Sequence, residues 1–280
     1  MSRTDIYSGG IAGLASIVVG HPFDTIKIHL QTEPHKYKTT YKAIKIILKE
    51  HGVKGFFRGV LPPGIGQIII SSLFFGIYSK LLVLSRQLLN HKKSKLTSTY
   101  LAGQMTGIFL SFIISPLDLI KSKIQTGLYN TNKDCINSIV KNTGIKGLFS
   151  GFTSTCFREA LRFGAYFSSY DYIRAKSGDS LYAIINAGGF AGAISWLVSY
   201  PIDVIKTKLQ SLPVYPNPGN DQYKGIKDCV KQTYRAEGLN GFFKGVFVCC
   251  FRSYPVNAIF FLSYEVSKMI FKSYQFTSQI

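Results

Sequence analysis

The chain is short of acid. Its 280 residues hold 14 Asp and Glu against 33 Lys and Arg, a formal net charge of +19. That balance excludes an acidic tail and an ordinary near-neutral cytosolic enzyme. Cysteine is sparse: Cys135, Cys156, Cys229, Cys249 and Cys250 form no Cys-x-x-Cys, and no histidine cluster lies beside them. A disulfide framework and a structural zinc site are therefore not expected, and the thiols read as small buried hydrophobes. The first eight residues lack the basic start and small-residue cleavage site of a signal peptide, so targeting information is expected to be internal. No nucleophile–base pair, metal cluster or phosphate loop stands out, which argues against an enzyme. The 46% share of hydrophobic residues excludes disorder.

Strong basicity suggests nucleic acid or an anionic membrane surface, and the distribution of charge separates the two. Runs of 18, 21, 22 and 23 residues without Asp, Glu, Lys or Arg lie between Asp5 and Asp24, Arg58 and Lys80, Lys95 and Asp118, and Asp179 and Asp203. A helix needs roughly 20 apolar residues to cross a bilayer. Four such runs in one short chain point to a polytopic membrane protein and away from nucleic acid.

The chain repeats itself three times. Pro22-Phe23-Asp24-Thr25-Ile26-Lys27 with Gln31, Pro116-Leu117-Asp118-Leu119-Ile120-Lys121 with Gln125, and Pro201-Ile202-Asp203-Val204-Ile205-Lys206 with Gln210 all read Pro-x-Asp-x-x-Lys-x-x-x-Gln. A Gly-x-x-x-Gly precedes each (Gly9/Gly13, Gly103/Gly107, Gly188/Gly192), its second glycine always nine residues before the proline. Downstream, Gly52 and Gly59, Gly144 and Gly151, and Gly238 and Gly245 are each seven apart, with Tyr78, Tyr170 and Tyr264 a further 19 on. Each repeat reads as a long helix bent at its proline (Pro22, Pro116, Pro201), a basic loop with a short amphipathic helix such as 41–50, and a second long helix. Gly-x-x-x-Gly lets helices approach closely in lipid. Three repeats give six spans, so both termini face one side. The loops after the odd helices are the more basic: residues 33–58 hold seven Lys or Arg against two acids, and 212–244 five against three. That asymmetry places them on the inner side, unless the lysines only keep the loops solvated.

The triple Pro-x-Asp-x-x-Lys, with Phe57-Arg58-Gly59 and Phe243-Lys244-Gly245 after it, resembles the mitochondrial carrier family over essentially the whole chain. The middle repeat departs, with Phe149-Ser150-Gly151, and with Thr143 before Gly144 where the third repeat has Glu237 and the first has Glu50 one residue earlier. The resemblance implies an all-α membrane protein. Its six transmembrane helices would form three pseudo-symmetric repeats (1–90, 91–176 and 177–280), with three short matrix-side amphipathic helices, around a central cavity. It implies a functional monomer in the mitochondrial inner membrane, multi-pass, with both termini facing the intermembrane space. Small solutes would be exchanged by alternating access, with no cofactor and no nucleic acid.

Two gates follow from that reading. Asp24 and Lys27 are three apart and can share one helix face; a charge at bilayer depth must be paired or face water. By resemblance the pairs are Asp24–Lys121, Asp118–Lys206 and Asp203–Lys27, braced by Gln31, Gln125 and Gln210, and they close the matrix end. The bland alternative is three pairs each satisfied within its own helix. At the other end, Tyr170-Asp171-Tyr172-Ile173-Arg174 and Tyr264-Glu265-Val266-Ser267-Lys268 fit the family's cytoplasmic motif. The first repeat has Tyr78, but Ser79 and Leu82 replace the acid and the base. By the same ring logic only Asp171–Lys268 remains, so the cytoplasmic gate is expected to be the weaker and the resting protein to open outward.

Arg158 and Arg252 each lie 13 residues before an acid of the second motif, Asp171 and Glu265. At about 1.5 Å per residue both sit roughly 20 Å below it, near mid-bilayer. Equal depth on symmetry-related helices argues for a shared site, and in carriers these positions match the substrate contact points, with Gly66 and Gln67 the equivalents on the second helix. An arginine fork suits a carboxylate, and Glu159 beside it suits an ammonium or quaternary nitrogen, so a zwitterionic or cationic amino acid or carnitine-type solute is expected. Arg162 supplies a second charge or merely satisfies Glu159, in which case Glu159 is structural. Trp196, the only tryptophan, could stack on a substrate side chain or simply pack. The stretches Gly20 to Thr25, Trp196 to Pro201 and Arg252 to Ala258 look like the carnitine/acylcarnitine and basic-amino-acid branch. Alternatives are a keto- or dicarboxylate carrier using both arginines, and a non-transporting scaffold that kept the fold. Tyr37, Tyr129 and Tyr223 begin the matrix segments; by resemblance they and the short-helix N-termini hold cardiolipin, although they could be interfacial anchors.

Overall fold

The structure is a computed structural model that describes residues 3–33, 35–89, 95–178, 180–211, 223 and 225–277. Among these the regular elements are all helical. Six are long: α1 (Arg3–Thr32), α3 (Leu61–Leu88), α4 (Lys95–Gln125), α6 (Phe152–Ser177), α7 (Leu181–Gln210) and α9 (Val246–Thr277). Three are short: α2 (Thr40–His51), α5 (Asn132–Thr143) and α8 (Ile226–Glu237), each followed by a five-residue 3-10 turn. One short helix follows each proline-containing helix, so the spacing of the sequence repeat becomes long–short–long three times over.

Four stretches are long and apolar enough to cross a membrane: Tyr7–Thr32, Lys95–Gln125, Tyr182–Gln210 and Leu239–Phe271. Pro22, Pro116 and Pro201 lie inside α1, α4 and α7, and a further proline, Pro255, lies inside α9. A proline cannot donate to the carbonyl four residues back, yet each helix runs through its proline.

The long helices close a ring in the order α1, α3, α4, α6, α7, α9, each touching the next and α9 returning to α1. Helices α1, α4 and α7 also meet one another directly. The short helices lie under their long neighbours on one buried stripe each, one helical turn apart: Ala43 and Ile47, Cys135 and Ile139, Cys229 and Thr233. Cys135, Cys229 and Cys249 are buried. Tyr37 joins the apolar cluster that seats α2, and Tyr129 packs against the corresponding cluster of α5. Thr39 and Thr131 cap α2 and α5 by accepting a backbone N–H, whereas α8 starts at Gly225 without a side-chain cap. On α8, Lys208 of α7 reaches Thr233 (3.2 Å) and Glu237 (3.1 Å), and Lys244 also pairs with Glu237.

The Gly-x-x-x-Gly pairs are not equivalent. Gly103 and Gly107 press α4 directly onto the backbone of α6; a Cβ on Gly107 would stand 2.6 Å from the Glu159 carbonyl carbon and 2.9 Å from the Ala160 nitrogen. On α7, Gly192 faces Ser253 of α9, while Gly9 of α1 has open space. Gly107→Ala should therefore force α4 and α6 apart and cost about 1–3 kcal/mol. Gly76→Ala, where a Cβ meets nothing within 4 Å, should stay within about 0.5 kcal/mol. Thermal unfolding of the two purified variants in detergent checks the contrast, and equal melting temperatures would contradict it.

Candidate functional site

The proline-bearing helices place one Asp and one Lys each where α1, α4 and α7 converge. Three contacts between neighbours result: Lys121–Asp24 at 2.6 Å, Lys27–Asp203 at 2.5 Å, and Lys206 with Asp118. All run in one sense, the lysine of one repeat reaching the aspartate of the repeat before it around the ring. They are between helices, and the alternative of three pairs each closed within one helix does not describe them.

The glutamines differ from expectation. Gln31 alone braces an ion pair, donating to Asp203 Oδ2 at 3.2 Å. Gln125 donates to Thr25 Oγ1 at 3.0 Å and lies 3.3 Å from His21 Nε2, and Gln210 donates to the Ser150 carbonyl at 3.2 Å. Each still reaches the preceding repeat. The amide lies one turn beyond its lysine, and on α4 and α7 that carries it past the carboxylate.

A second layer beneath the ion pairs had no reading in the sequence. The residue before each proline ties its helix to the turn that follows the short helix. His21 Nε2 lies 2.9 Å from the Arg58 carbonyl, and Tyr200 donates to the Lys244 carbonyl at 2.7 Å. Ser115 is too short to do the same; its buried hydroxyl has no partner among the described residues, and Gln210 serves the Ser150 carbonyl instead. The signal was the position itself, polar in all three repeats. Next to these carbonyls stand Gly59, Gly151 and Gly245, with φ of +72°, +80° and +82°, each against the following repeat: Lys121 and Gln125, Gln210, and Lys27 with Leu30. A side chain there would be strained by the left-handed backbone and would push on the ion-pair layer, which explains the third invariant of the repeat.

The arginines reach this layer too. Arg158 is buried and bonds Asp118 at 2.7 Å, Asp203 at 3.3 Å and Glu159. Arg252 holds Asp24 Oδ1 at 2.9 Å and donates to the Gly20 carbonyl at 3.2 Å. Every converging aspartate thus carries one lysine and one arginine. Glu159 is fully buried and shared: Arg158 takes Oε1, and Arg162 takes Oε2 through two nitrogens at 2.6 and 2.9 Å. Six cations meet four acids, two cations in surplus. Burial is incomplete: the side chains of Arg162 and Asp118 are each 28% exposed.

Trp196 faces the cluster rather than the outer surface, where its neighbours Leu197 and Val198 are exposed. Lys27 Nζ lies 4.5 Å above its ring and Arg162 5.9 Å away. Gly66 does not face the arginines: a Cβ there would collide with Leu117 of α4. It is buried against the Leu117 side chain where α3 packs on α4. Gln67 beside it is half-buried.

At the far end, where the termini lie, Asp171 accepts from Thr99 Oγ1 at 3.0 Å and does not meet Lys268. The short hydroxyl of adjacent α4 is within reach, while Lys268 lies over its own Tyr264, 5.2 Å from the ring centroid. Arg174 donates to the Gly178 carbonyl just past the end of α6. Tyr170 stacks on Tyr166, and Tyr78 stacks on Phe167 with centroids 4.2 Å apart. The side chain of Glu265 lies outside the described residues.

The family model for mitochondrial carrier proteins matches residues 2–87, 92–181 and 177–275. A human mitochondrial basic amino acids transporter is 35% identical over 272 residues, covering 92% of this chain and 87% of its own. Mitochondrial substrate carrier family protein L of Dictyostelium discoideum is 35% identical over 271 residues, 91% of this chain and 92% of its own. Human solute carrier family 25 member 48 is 33% identical over 294 residues, 92% of each chain. With three matches of one model in the register of the three repeats, the chain belongs to the mitochondrial carrier family.

Proposed function

We propose that this carrier exchanges a small zwitterionic or cationic solute, of the amino acid or carnitine class, across the mitochondrial inner membrane by alternating access. All six long helices span, both termini face the intermembrane space, and the monomer is the working unit. The three Lys–Asp contacts are the matrix gate, shut in the state described. The substrate sits on Arg158, Glu159, Arg162, Arg252 and Trp196.

One observation carries the substrate class: a fully buried carboxylate, Glu159, held between two arginines. An anion-only site gains nothing from a buried acid. Released from one arginine, Glu159 accepts an ammonium or offsets a quaternary nitrogen while the freed guanidinium takes the carboxylate. The similarity to a basic amino acids transporter points the same way. The surplus of two cations supports a second reading, a keto- or dicarboxylate exchanger in which Arg158 and Arg252 take the two carboxylates and Glu159 stays locked. Cardiolipin is proposed at the N-termini of α2, α5 and α8, with Tyr37 and Tyr129 fixing the helices rather than touching the lipid.

Proteoliposomes loaded in turn with lysine, ornithine, arginine, carnitine, acylcarnitines and dicarboxylates separate these readings. Cationic amino acids or carnitines should exchange, and Glu159→Gln should lower their kcat/KM about tenfold or more, one decade per ~1.4 kcal/mol of lost transition-state binding. Exchange of dicarboxylates that survives Glu159→Gln would establish the second reading.

The side of resting access is a separate expectation. Single cysteines at the depth of Arg162 should react with an impermeant thiol reagent added from the intermembrane-space side several-fold faster than from the matrix side. Equal rates, or faster reaction from the matrix, would mean that the ion-pair layer is not a closed gate.

A further inference from the structure

The two arginines that cover Glu159 are held in different ways. Arg158 is 7% exposed, and besides Glu159 it reaches Asp118 of α4 and Asp203 of α7. Moving it would strip a cation from two aspartates at once, which is costly for buried charges. Arg162 is 28% exposed, and among the described residues its ion pair is with Glu159 alone, three positions back on the same helix. A pair of that spacing is weak by itself, and opening it leaves Arg158 in place on the other carboxylate oxygen. Of the two, Arg162 is the one free to leave.

What holds Arg162 is the chemistry that recognises a cation. Its Nε and Nη2 both reach one carboxylate oxygen, Glu159 Oε2, at 2.9 and 2.6 Å. Its guanidinium carbon lies 4.6 Å from the centre of the Phe163 ring and 5.9 Å from that of Trp196 on the neighbouring helix α7. A carboxylate with aromatic faces beside it suits guanidinium and ammonium groups in general. Here the occupant is the protein's own side chain, anchored one turn away. Lys27 also has an acid and two rings, Asp203, Trp196 and Tyr200, but its side chain is 9% exposed and its acid belongs to the ion-pair layer. Only at Arg162 does a cage of this kind have an open flank.

We infer that Arg162 is a tethered stand-in for the cationic end of the solute. It fills the cation subsite of the empty carrier, and the solute enters by displacing it. The solute's nitrogen takes Glu159 Oε2 and the rings, and the freed guanidinium joins those that meet the solute's carboxylate. One ion pair opens and two form, so no charge is stranded. A molecule that brings only a cation leaves Arg162 without a partner, and one that brings only a carboxylate does not satisfy Glu159. A molecule with both ends completes the exchange, so the pair selects for zwitterions by penalising either half alone. The inference rests on the transport reading above and says which arginine yields.

The test is a binding titration of the purified full-length carrier, followed by the fluorescence of Trp196, its sole tryptophan. The probe is agmatine, which is arginine without its carboxylate. Arg162→Gln should bind agmatine about fivefold or more tighter than the parent, because the tethered competitor is gone. Arginine itself should improve less, because the same change removes a partner of its carboxylate. Adding Glu159→Gln to Arg162→Gln should abolish the improvement. Arg252→Gln removes the same charge from outside the cage and should improve agmatine binding by less than about twofold. Arg162→Met, which keeps an unbranched chain beside the rings, should behave as Arg162→Gln does, so the test does not hang on one variant folding. Unchanged agmatine affinity in the Arg162 variants, an equal improvement in Arg252→Gln, or an equal improvement for arginine overturns the stand-in. If the improvement appears while proteoliposomes exchange no solute, the transport reading fails and the cation subsite stands; if exchange occurs without the improvement, the stand-in alone fails.

Discussion

Burying a charge inside a bilayer is tolerated only when a counter-charge comes with it, and for the three converging aspartates the lysine always belongs to another repeat. Asp24 depends on Lys121, Asp118 on Lys206 and Asp203 on Lys27. None of the three long proline helices can settle its buried carboxylate alone, so the ring must close before any of them is stable. The same demand makes the contact reversible. Breaking a buried pair by removing one partner costs on the order of 3–5 kcal/mol, but that cost falls if water or a solute replaces the missing partner. A layer of this kind is strong when dry and weak when wetted from inside, which is what a gate at one end of a solvated channel needs.

The arginines connect solute to gate. Arg158 is shared among Asp118, Asp203 and Glu159, and Arg252 holds Asp24. In the proposed cycle a carboxylate arriving from the open end competes for these guanidinium groups. Each one taken removes a cation from a gate aspartate, leaving it on its lysine alone. Binding and gate strength are then two sides of one equilibrium, and the solute loosens the far gate only to the extent that it bonds the arginines better than the aspartates do. On that reading an empty carrier keeps its gate shut because the arginines have nothing else to hold.

The three Asp–Lys partners were legible in the sequence through the family resemblance: fixed spacing on three like helices lets each aspartate meet a neighbouring repeat, and the resemblance implies which one. The long–short–long order of elements was legible for the same reason. What symmetry does not determine was missed or misplaced. Gln125 and Gln210 depend on how far an amide reaches past a carboxylate, and on a serine at position 115 where the other repeats carry histidine and tyrosine. Gly66 was read as a contact point from its register, but the close approach of α3 to α4 at Leu117 assigns it to packing. Asp171 was paired with Lys268 across the ring, yet a hydroxyl on adjacent α4 is nearer. Arg158 was read as a solute contact from its depth, while its partners in the structure are aspartates 40 and 45 residues away, and nothing local in the sequence announces them.

Threefold repetition in the frame and its absence in the site have different causes. A gate that must seal a round opening is best served by three equal contacts, and here the backbone glycines, prolines and ion pairs repeat without drift. A solute with a carboxylate at one end and a nitrogen at the other has no threefold axis, and a symmetric site could not orient it. The departures are concentrated on the second long helix of each repeat: α6 carries Arg158, Glu159 and Arg162, α9 carries Arg252, and α3 has the uncharged Gly66 and Gln67 at the matching positions. The first repeat lacks charge both at mid-depth and at the terminal motif, and it is there that aromatic rings bind α3 to α6. One wall of the ring thus carries no charge at these positions, while the opposite walls carry the charged side chains that share partners, so the asymmetry of the site arises from these substitutions.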